Sequence, residues 1–168
     1  MSTERNDPSL AYTIPFQLTQ TIHRRVPDEL QPERSENSQR GKIILITGGG
    51  SGIGAAAANV WVRAGAEGVV IVGRRKERLE ETAQWLEKSS RGITKIVPIA
   101  ADCTIDADMR RVHDTIKEIF GRSADVVLAN AGAVGEIKSS AEESSSEWWK
   151  IYVSYSPTFA QHLLTALV

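Results

Sequence analysis

The residues best suited to binding chemistry in this sequence are the glycines between Thr47 and Gly54. A glycine turn brings backbone N–H groups close to a ligand, because no Cβ stands in the way, and such groups bind phosphate oxygens. Gly48 can make a tight turn, Gly52 leaves room for phosphates beside the backbone, and Gly54 lets a following helix pack closely. Glycine turns without a ligand are also common, so the flanking residues must decide.

The glycine run lies between a predicted strand and a predicted helix. The β-favouring residues 42–47 precede it, and the alanine-rich residues 52–64 follow it. A strand, a glycine turn and a helix N-terminus in this order form the pyrophosphate pocket of dinucleotide-binding proteins. The order of these features therefore predicts a dinucleotide site at the turn, with a plain surface turn as the alternative.

Two arginines follow the second predicted strand, where the adenosine ribose of a dinucleotide would lie. They are Arg74 and Arg75. A carboxylate at this place would accept a hydrogen bond from a ribose 2′-hydroxyl, whereas a guanidinium can bind a 2′-phosphate through two charge-assisted hydrogen bonds. The arginines therefore predict NADP(H) as the cofactor in preference to NAD(H). The alternative is that both arginines pair with Glu77 or Glu80, or are solvated.

Polar residues also follow the third and fourth predicted strands. Asp102 could accept a hydrogen bond from an adenine amino group, or it could make a turn before the next helix, as Thr104 also could. Asn130 is followed by the small residues Ala131 and Gly132, which would let a cofactor approach. The Asn130 amide could tie neighbouring strands or contact a ribose, and a turn with no ligand is the alternative.

Apolar and amphipathic stretches alternate from residue 42 onward. They predict strands over residues 42–47, 69–72, 93–100 and 125–130, and helices over residues 52–64, 76–88 and 106–120. The predicted inward face of the first helix consists of Ile53, Ala57, Val60, Trp61 and Ala64. Apolar strands alternating with helices indicate a parallel sheet covered on both faces. Right-handed crossovers favour the strand order 3-2-1-4 of an α/β, Rossmann-like fold.

Composition limits the classes of partner. The 168 residues carry 20 basic and 21 acidic side chains, and this near-balance gives no reason to expect nucleic acid or a membrane as a partner. The single cysteine, Cys103, suits a reducing compartment and is interpreted as a small buried filler. The three histidines lack metal-ligand spacing. We expect a cytoplasmic protein without a metal site.

The two ends of the chain differ from the middle. Residues 1–40 contain four prolines and no sustained apolar period, which predicts an extended arm ahead of a dinucleotide-binding domain over residues 41–168. A last helix is predicted from residue 147 to the end. The apolar residues 159–168 would face water unless they pack on a partner, so self-association through this helix is expected.

Together these residues resemble the short-chain dehydrogenase/reductase family over about residues 41–165. The match consists of the run from Thr47 to Gly54, then Gly73 and Arg74, then Asp102, then residues 130–132. Residues 16–23 and 147–150 look like those of fungal members. The resemblance implies an NADP(H)-dependent enzyme that passes hydride between the nicotinamide and the carbonyl carbon of an alcohol/ketone pair.

The resemblance also implies a set of cofactor contacts. In the family the glycine loop and Ile53 hold the pyrophosphate, the residue matching Arg74 selects the 2′-phosphate, and Asp102 reads the adenine. Asn130 lines the cofactor. The complete implied set is Gly48, Ser51, Gly52, Ile53, Gly54, Arg74, Arg75, Asp102, Cys103, Asn130, Ala131 and Gly132.

The resemblance stops before the family's catalytic residues. There a Tyr acts as general acid or base, and a Lys four residues later lowers its pKa. This sequence has no Tyr-x-x-x-Lys, no lysine follows Lys150, and Tyr155 stands where the family has a catalytic Asn. We therefore expect the cofactor-binding part of such an enzyme, with later strands missing and negligible turnover. A non-catalytic nucleotide-binding or interaction module is the alternative, and a methyltransferase of similar design is disfavoured by Arg74.

Overall fold

The computed structural model describes residues 25–90, 92–132, 144–146 and 148–149 of the chain. Within these residues, two 3₁₀ turns, at Asp28–Leu30 and Ser35–Asn37, precede alternating strands and helices. The strands are β1 (Ile43–Thr47), β2 (Gly68–Gly73), β3 (Lys95–Ala100) and β4 (Val126–Leu128). The helices are α1 (Gly52–Arg63), α2 (Lys76–Ser90) and α3 (Asp106–Phe120). None of the helices in this part of the chain is long and apolar enough to cross a membrane.

The chain divides into two compact units, Met1–Gln31 and Pro32–Val168. All four strands and all three helices described above lie in the second unit. The division between an arm and a domain that composition places after residue 40 stays a prediction.

The four described strands run parallel in the order β3-β2-β1-β4. This confirms the predicted α/β, Rossmann-like fold and its strand order. Ile44 of β1 lies beside Val69 of β2 on one side and Val126 of β4 on the other. The winding of the chain reverses between β1 and β4, and ligands of such folds bind in the crevice at the carboxyl ends of these strands.

β1 is buried on both faces, which explains its uninterrupted apolar sequence. Alternate residues of a strand face opposite sides. Ile43 and Leu45 therefore pack in the cluster that contains α3 residues, whereas Ile44 and Ile46 pack with residues of α1 and α2. A fully buried side chain of this size contributes about 1.5–3 kcal/mol to stability, so this alternation holds helices against both faces of the sheet.

The predicted inward face of α1 is wrong at Ile53 and Val60, whereas Ala64 is buried and Trp61 packs against the core as predicted. Ile53 is 81% exposed and Val60 is 48% exposed, while Gly54, Ala58 and Val62 are buried. The buried residues follow the four-residue spacing of a helix face, and Gly54 has to be a glycine because the start of α1 lies very close to the end of β1. An alanine-rich helix offers little contrast between its faces, so its larger apolar residues misled the prediction.

Three strands are shorter than predicted, β1 by one residue, and β2 is longer by one residue at each end. β3 begins at Lys95 because Ile93 continues the turn that follows α2. β4 ends at Leu128 because the backbone N–H of Asn130 donates to the side chain of Thr47 rather than to a backbone carbonyl of β1. The residues after β4 therefore leave the sheet and turn into the crevice.

His113 is a titratable side chain buried on α3. It is 3% exposed, and neither ring nitrogen has a hydrogen-bond partner among the described residues. Burial lowers the pKa of His113 below its ordinary value of 6.5, and the charge of Lys117 lowers it further. At neutral pH the folded protein therefore favours the neutral form of this imidazole.

We expect the free energy of unfolding to fall as the pH is lowered through 6.5 toward the folded-state pKa, because the unfolded chain then binds a proton that the folded chain resists. His113→Leu should remove this part of the pH dependence, since both proteins share the other two histidines. Urea unfolding at about pH 7.5 and about pH 5.5 measures the effect. Equal pH slopes in the two proteins would contradict the assignment.

Candidate functional site

A cleft of about 640 Å³ lies at the carboxyl ends of the described strands, within the size range of small-molecule sites. The predicted site residues that line it are Gly48, Ser51, Ile53, Gly54, Arg74, Arg75, Cys103, Asn130, Ala131 and Gly132. Gly52 and Asp102 were also predicted but do not line it. The lining residues that the prediction missed are Gly50, Gly73, Arg78, Leu79 and Ala101. Arg78 and Leu79 could have been found, because they lie one helical turn beyond Arg75.

The glycine turn has the backbone geometry that the sequence suggests. Gly48 and Gly52 have φ angles of 69° and 55°, in the left-handed region that favours glycine. A Cβ on Gly54 would overlap the carbonyl oxygen of Gly48 and lie 2.7 Å from Nδ2 of Asn130. No atom lies within 4 Å of the Cβ position at Gly52. The turn is therefore closely packed at Gly54 and leaves open space beside Gly52.

The first turn of α1 presents backbone N–H groups at the cleft. The first N–H groups of a helix have no partner within the helix, and the side chain of Ser51, at the capping position, makes no capping hydrogen bond. Its Oγ instead accepts a hydrogen bond of 3.4 Å from Nη2 of Arg75. Uncapped N–H groups together with the helix dipole favour an anion at this end of α1.

A buried threonine joins the ends of β1 and β4. Oγ1 of Thr47 accepts hydrogen bonds from the backbone N–H groups of Asn130, at 3.1 Å, and Ala131, at 3.0 Å. Nδ2 of Asn130 donates to the carbonyl oxygen of Thr47 at 3.0 Å. Asn130 therefore ties neighbouring strands, which was one of its two predicted roles, and its contact with a ribose stays a prediction. The sequence signal for Thr47 was a polar residue at the end of an apolar strand.

Asp102 makes the turn that was the alternative to adenine binding. Its Oδ1 accepts hydrogen bonds from the backbone N–H of Thr104, at 2.9 Å, and from the Thr104 hydroxyl, at 2.7 Å. The adenine contact of Asp102 stays a prediction. The turn places Ala101 and Cys103 on the wall of the cleft.

Arg74 and Arg75 give one end of the cleft an uncompensated positive charge. Both side chains are exposed, and neither forms an ion pair with a carboxylate in the part of the chain that the structure describes. Glu80 pairs with Lys76 instead, at 3.7 Å, and Glu77 makes no ion pair with either arginine. The ion-paired alternative for the two arginines is therefore not found among these residues.

Cys103 is half-buried and packs at the edge of the core cluster that contains α3 residues. Burial raises the pKa of its thiol, and the charge of Asp102 raises it further, although Arg74 acts in the opposite direction. A protonated thiol is a poor nucleophile. This environment matches the interpretation of Cys103 as a filler that also lines the cleft.

The described wall of the cleft offers no group suited to proton transfer near neutral pH. It contains no carboxylate, histidine, lysine or tyrosine among the residues given above. Tyr155, the last predicted helix and the apolar residues 159–168 lie outside the described residues. What the described cleft can do is hold and orient a ligand that carries phosphate groups.

Comparison with known proteins finds similarity over most of the chain. A family model described as short chain dehydrogenase matches residues 42–163. The short chain dehydrogenase pigC of Monascus ruber is 30% identical over 139 residues, which make up 81% of this chain and 45% of that protein. The chain therefore spans less than half the length of this relative.

Two solved structures share the fold and hold different coenzymes. L-sorbose reductase from Gluconobacter frateurii, in complex with NADPH and L-sorbose, is 30% identical with a TM-score of 0.67, over 77% of this chain and 47% of that chain. An NAD+-bound xylitol dehydrogenase is 22% identical with a TM-score of 0.66, over 77% of this chain and 47% of its own. The fold alone is therefore compatible with either coenzyme.

Gly54→Ala should lower the free energy of unfolding by about 1–3 kcal/mol, because its Cβ meets backbone atoms that cannot move without shifting α1. Gly73→Ala is the matched control, since a Cβ there lies 3.7 Å from Leu79 in an ordinary contact. We expect the control to change stability by less than about 0.5 kcal/mol. Urea unfolding measures both variants, and a Gly54→Ala protein as stable as the wild type would refute the close contact.

Proposed function

The chain belongs to the short-chain dehydrogenase/reductase family, and on this premise we propose that it binds NADP(H) and forms the coenzyme-binding part of an oxidoreductase that acts on an alcohol/ketone pair. The observation that carries the proposal is the pair of arginines, Arg74 and Arg75, which line the cleft without a described carboxylate partner. The L-sorbose reductase that holds NADPH supports it by similarity.

The preference for NADP(H) rests on charge. A hydrogen bond between a guanidinium and a phosphate contributes about 1.5–3 kcal/mol. Because Arg74 and Arg75 are not engaged with described carboxylates, no ion pair has to break when a 2′-phosphate binds. The described cleft wall also lacks the acidic residue that would accept a hydrogen bond from the ribose 2′-hydroxyl of NAD(H). The phosphorylated coenzyme is therefore the better match.

The pyrophosphate of the coenzyme matches the start of α1. Uncapped N–H groups follow Ser51, and the open space beside Gly52 allows a ligand to approach the backbone closely. Arg75 reaches Ser51 from the opposite side of this end of the cleft. A bound dinucleotide would thus place its pyrophosphate near α1 and its 2′-phosphate near the arginines.

The coenzyme, when bound, supplies a hydride for exchange with a carbonyl carbon. The described residues of this chain bind and orient it: Gly54 keeps α1 against the end of β1, and Thr47 holds the segment after β4 at the cleft. Transfer of the accompanying proton needs an acid or base, which the family takes from a Tyr-x-x-x-Lys motif. This sequence does not contain that motif.

A non-catalytic nucleotide-binding or interaction module is the second candidate, because the described cleft wall offers groups for binding and none suited to proton transfer. Under this candidate the chain binds NADP(H) and acts by association, for which the apolar residues 159–168 are the proposed contact. The two candidates share the coenzyme site and differ in whether that site serves hydride transfer to a carbonyl carbon.

We also propose the setting of this activity. Residues 41–168 form the coenzyme-binding domain and residues 1–40 an arm ahead of it. The single cysteine, which forms no disulfide, supports a cytoplasmic location.

Arg74→Ala should weaken NADPH binding by about ten- to a hundredfold, because it removes a charge-assisted contact worth about 1.5–3 kcal/mol. NADH binding should change little. Fluorescence titration of the reduced nicotinamide measures both affinities. Arg110→Ala is the matched control, because it removes the same charge from an exposed position on α3 that does not line the cleft. A variant that keeps the wild-type preference for NADPH would remove Arg74 from the site.

The purified 168-residue chain should reduce no ketone above a buffer control, because its sequence lacks the proton-transfer motif. NADPH oxidation followed by absorbance with a panel of small ketones measures this. Turnover above the control would reject the non-catalytic candidate and show that another residue moves the proton.

A further inference from the structure

We propose that Asp108 and Arg111, which do not line the cleft, are positioning residues that hold its β3 wall in the shape that binds the adenosine end of the coenzyme. The inference rests on the proposed coenzyme site for its binding consequence. Its structural part, an ordered wall at Ala101–Cys103, can be tested without any coenzyme.

The two side chains hold the backbone on both sides of Ala101. Oδ2 of Asp108 accepts a hydrogen bond of 2.7 Å from the backbone N–H of Asp102. Nη2 of Arg111 donates to the carbonyl oxygen of Ala100 at 2.9 Å and to Oδ1 of Asp108 at 3.2 Å. The first turns of α3 are thereby joined to the last residue of β3 and to the loop that follows it.

The loop after β3 needs such support, because β3 lies at the edge of the described sheet. The last ladder contact on this side runs from the N–H of Ala101 to the carbonyl oxygen of Gly73, at 2.9 Å. Beyond it, the loop makes the Asp102–Thr104 turn, a hydrogen bond of 3.0 Å from the Ile105 N–H to the Asp102 carbonyl oxygen, and the bond to Asp108, and Cys103 packs against the core. Asp108 is the side chain of α3 that hydrogen-bonds the loop backbone beyond this last ladder contact.

Asp108 and Arg111 contribute unequally to holding the β3 wall. The Asp108–Arg111 ion pair is partly exposed, and such pairs add little to stability. The hydrogen bond from the Asp102 N–H to a carboxylate is charge-assisted and belongs to the stronger class. Asp108 also lies in the first turn of α3, where the helix dipole favours negative charge. Loss of Asp108 should therefore have the larger effect.

The adenosine end is common to NADPH and NADH, apart from the 2′-phosphate. A looser wall should therefore weaken both coenzymes by a similar factor and leave their ratio unchanged. The ratio of the two affinities separates a positioning role of Asp108 from the proposed role of Arg74. Loss of Arg74 should weaken the binding of NADPH and leave that of NADH nearly unchanged.

Cys103 provides a direct probe, because it is the single cysteine of the chain and lies within the wall. Asp108→Ala should speed the reaction of its thiol with a disulfide reagent by about ten- to a hundredfold and weaken NADPH and NADH by a similar factor, as expected for one lost charge-assisted hydrogen bond. Asp108→Asn keeps an acceptor for the Asp102 N–H. It should therefore return the thiol reaction rate and the affinities for both coenzymes most of the way to their wild-type values. Asp114→Ala is the control, because it removes an exposed carboxylate from the same helix.

The outcomes separate the two proposals. Unchanged thiol reactivity in Asp108→Ala, or an Asp108→Asn protein as impaired as Asp108→Ala, overturns the positioning role. A wild-type chain that binds neither coenzyme overturns the proposed function, while the thiol rates still test the wall. If Asp108→Ala does not fold, Arg111→Ala takes its place, with a smaller acceleration of the thiol reaction expected and an unchanged rate counting against the inference.

Discussion

The structure depends on the close approach of α1 to the end of β1 at Gly54. A side chain at this position would meet the Gly48 carbonyl and the Asn130 amide. The contact sets where the uncapped N–H groups of α1 lie, and Asn130 in turn is held by the buried hydroxyl and carbonyl of Thr47. A few short contacts therefore bring the ends of β1 and β4 and the start of α1 to one place, and the cleft is a consequence of this packing.

Different chemical groups line different parts of the cleft. The start of α1 offers backbone N–H groups, Arg74 and Arg75 offer guanidinium charge, and the wall after β3 offers a shaped surface held by Asp108. The neighbouring acid Glu80 pairs with Lys76, which leaves the two arginines without a described counter-charge. A ligand with separated phosphate groups matches this arrangement better than a neutral one. The fold is shared with an NAD+-bound protein, so these charges carry the argument for NADP(H).

The sequence predicted the features that repeat or that follow a known order. Buried strands alternating with helices led to the correct sheet, and glycines at fixed spacing led to the turn whose backbone the structure confirms. The prediction from sequence failed where a distance between elements determines which residues are buried. The inward face of α1 is chosen by how closely Gly54 approaches Gly48, and an alanine-rich pattern does not encode that distance. Contacts between side chains of one element and the backbone of another, such as those of Thr47 and Asp108, also leave no periodic signal.

Calorimetric titration of the chain with adenosine 2′,5′-bisphosphate and with AMP tests the central claim most directly, because the two ligands differ only in the 2′-phosphate. If Arg74 and Arg75 bind that phosphate, the bisphosphate should bind at least about tenfold more tightly, and added salt should reduce the difference. Equal affinities for the two ligands, or no binding of either, would contradict the account.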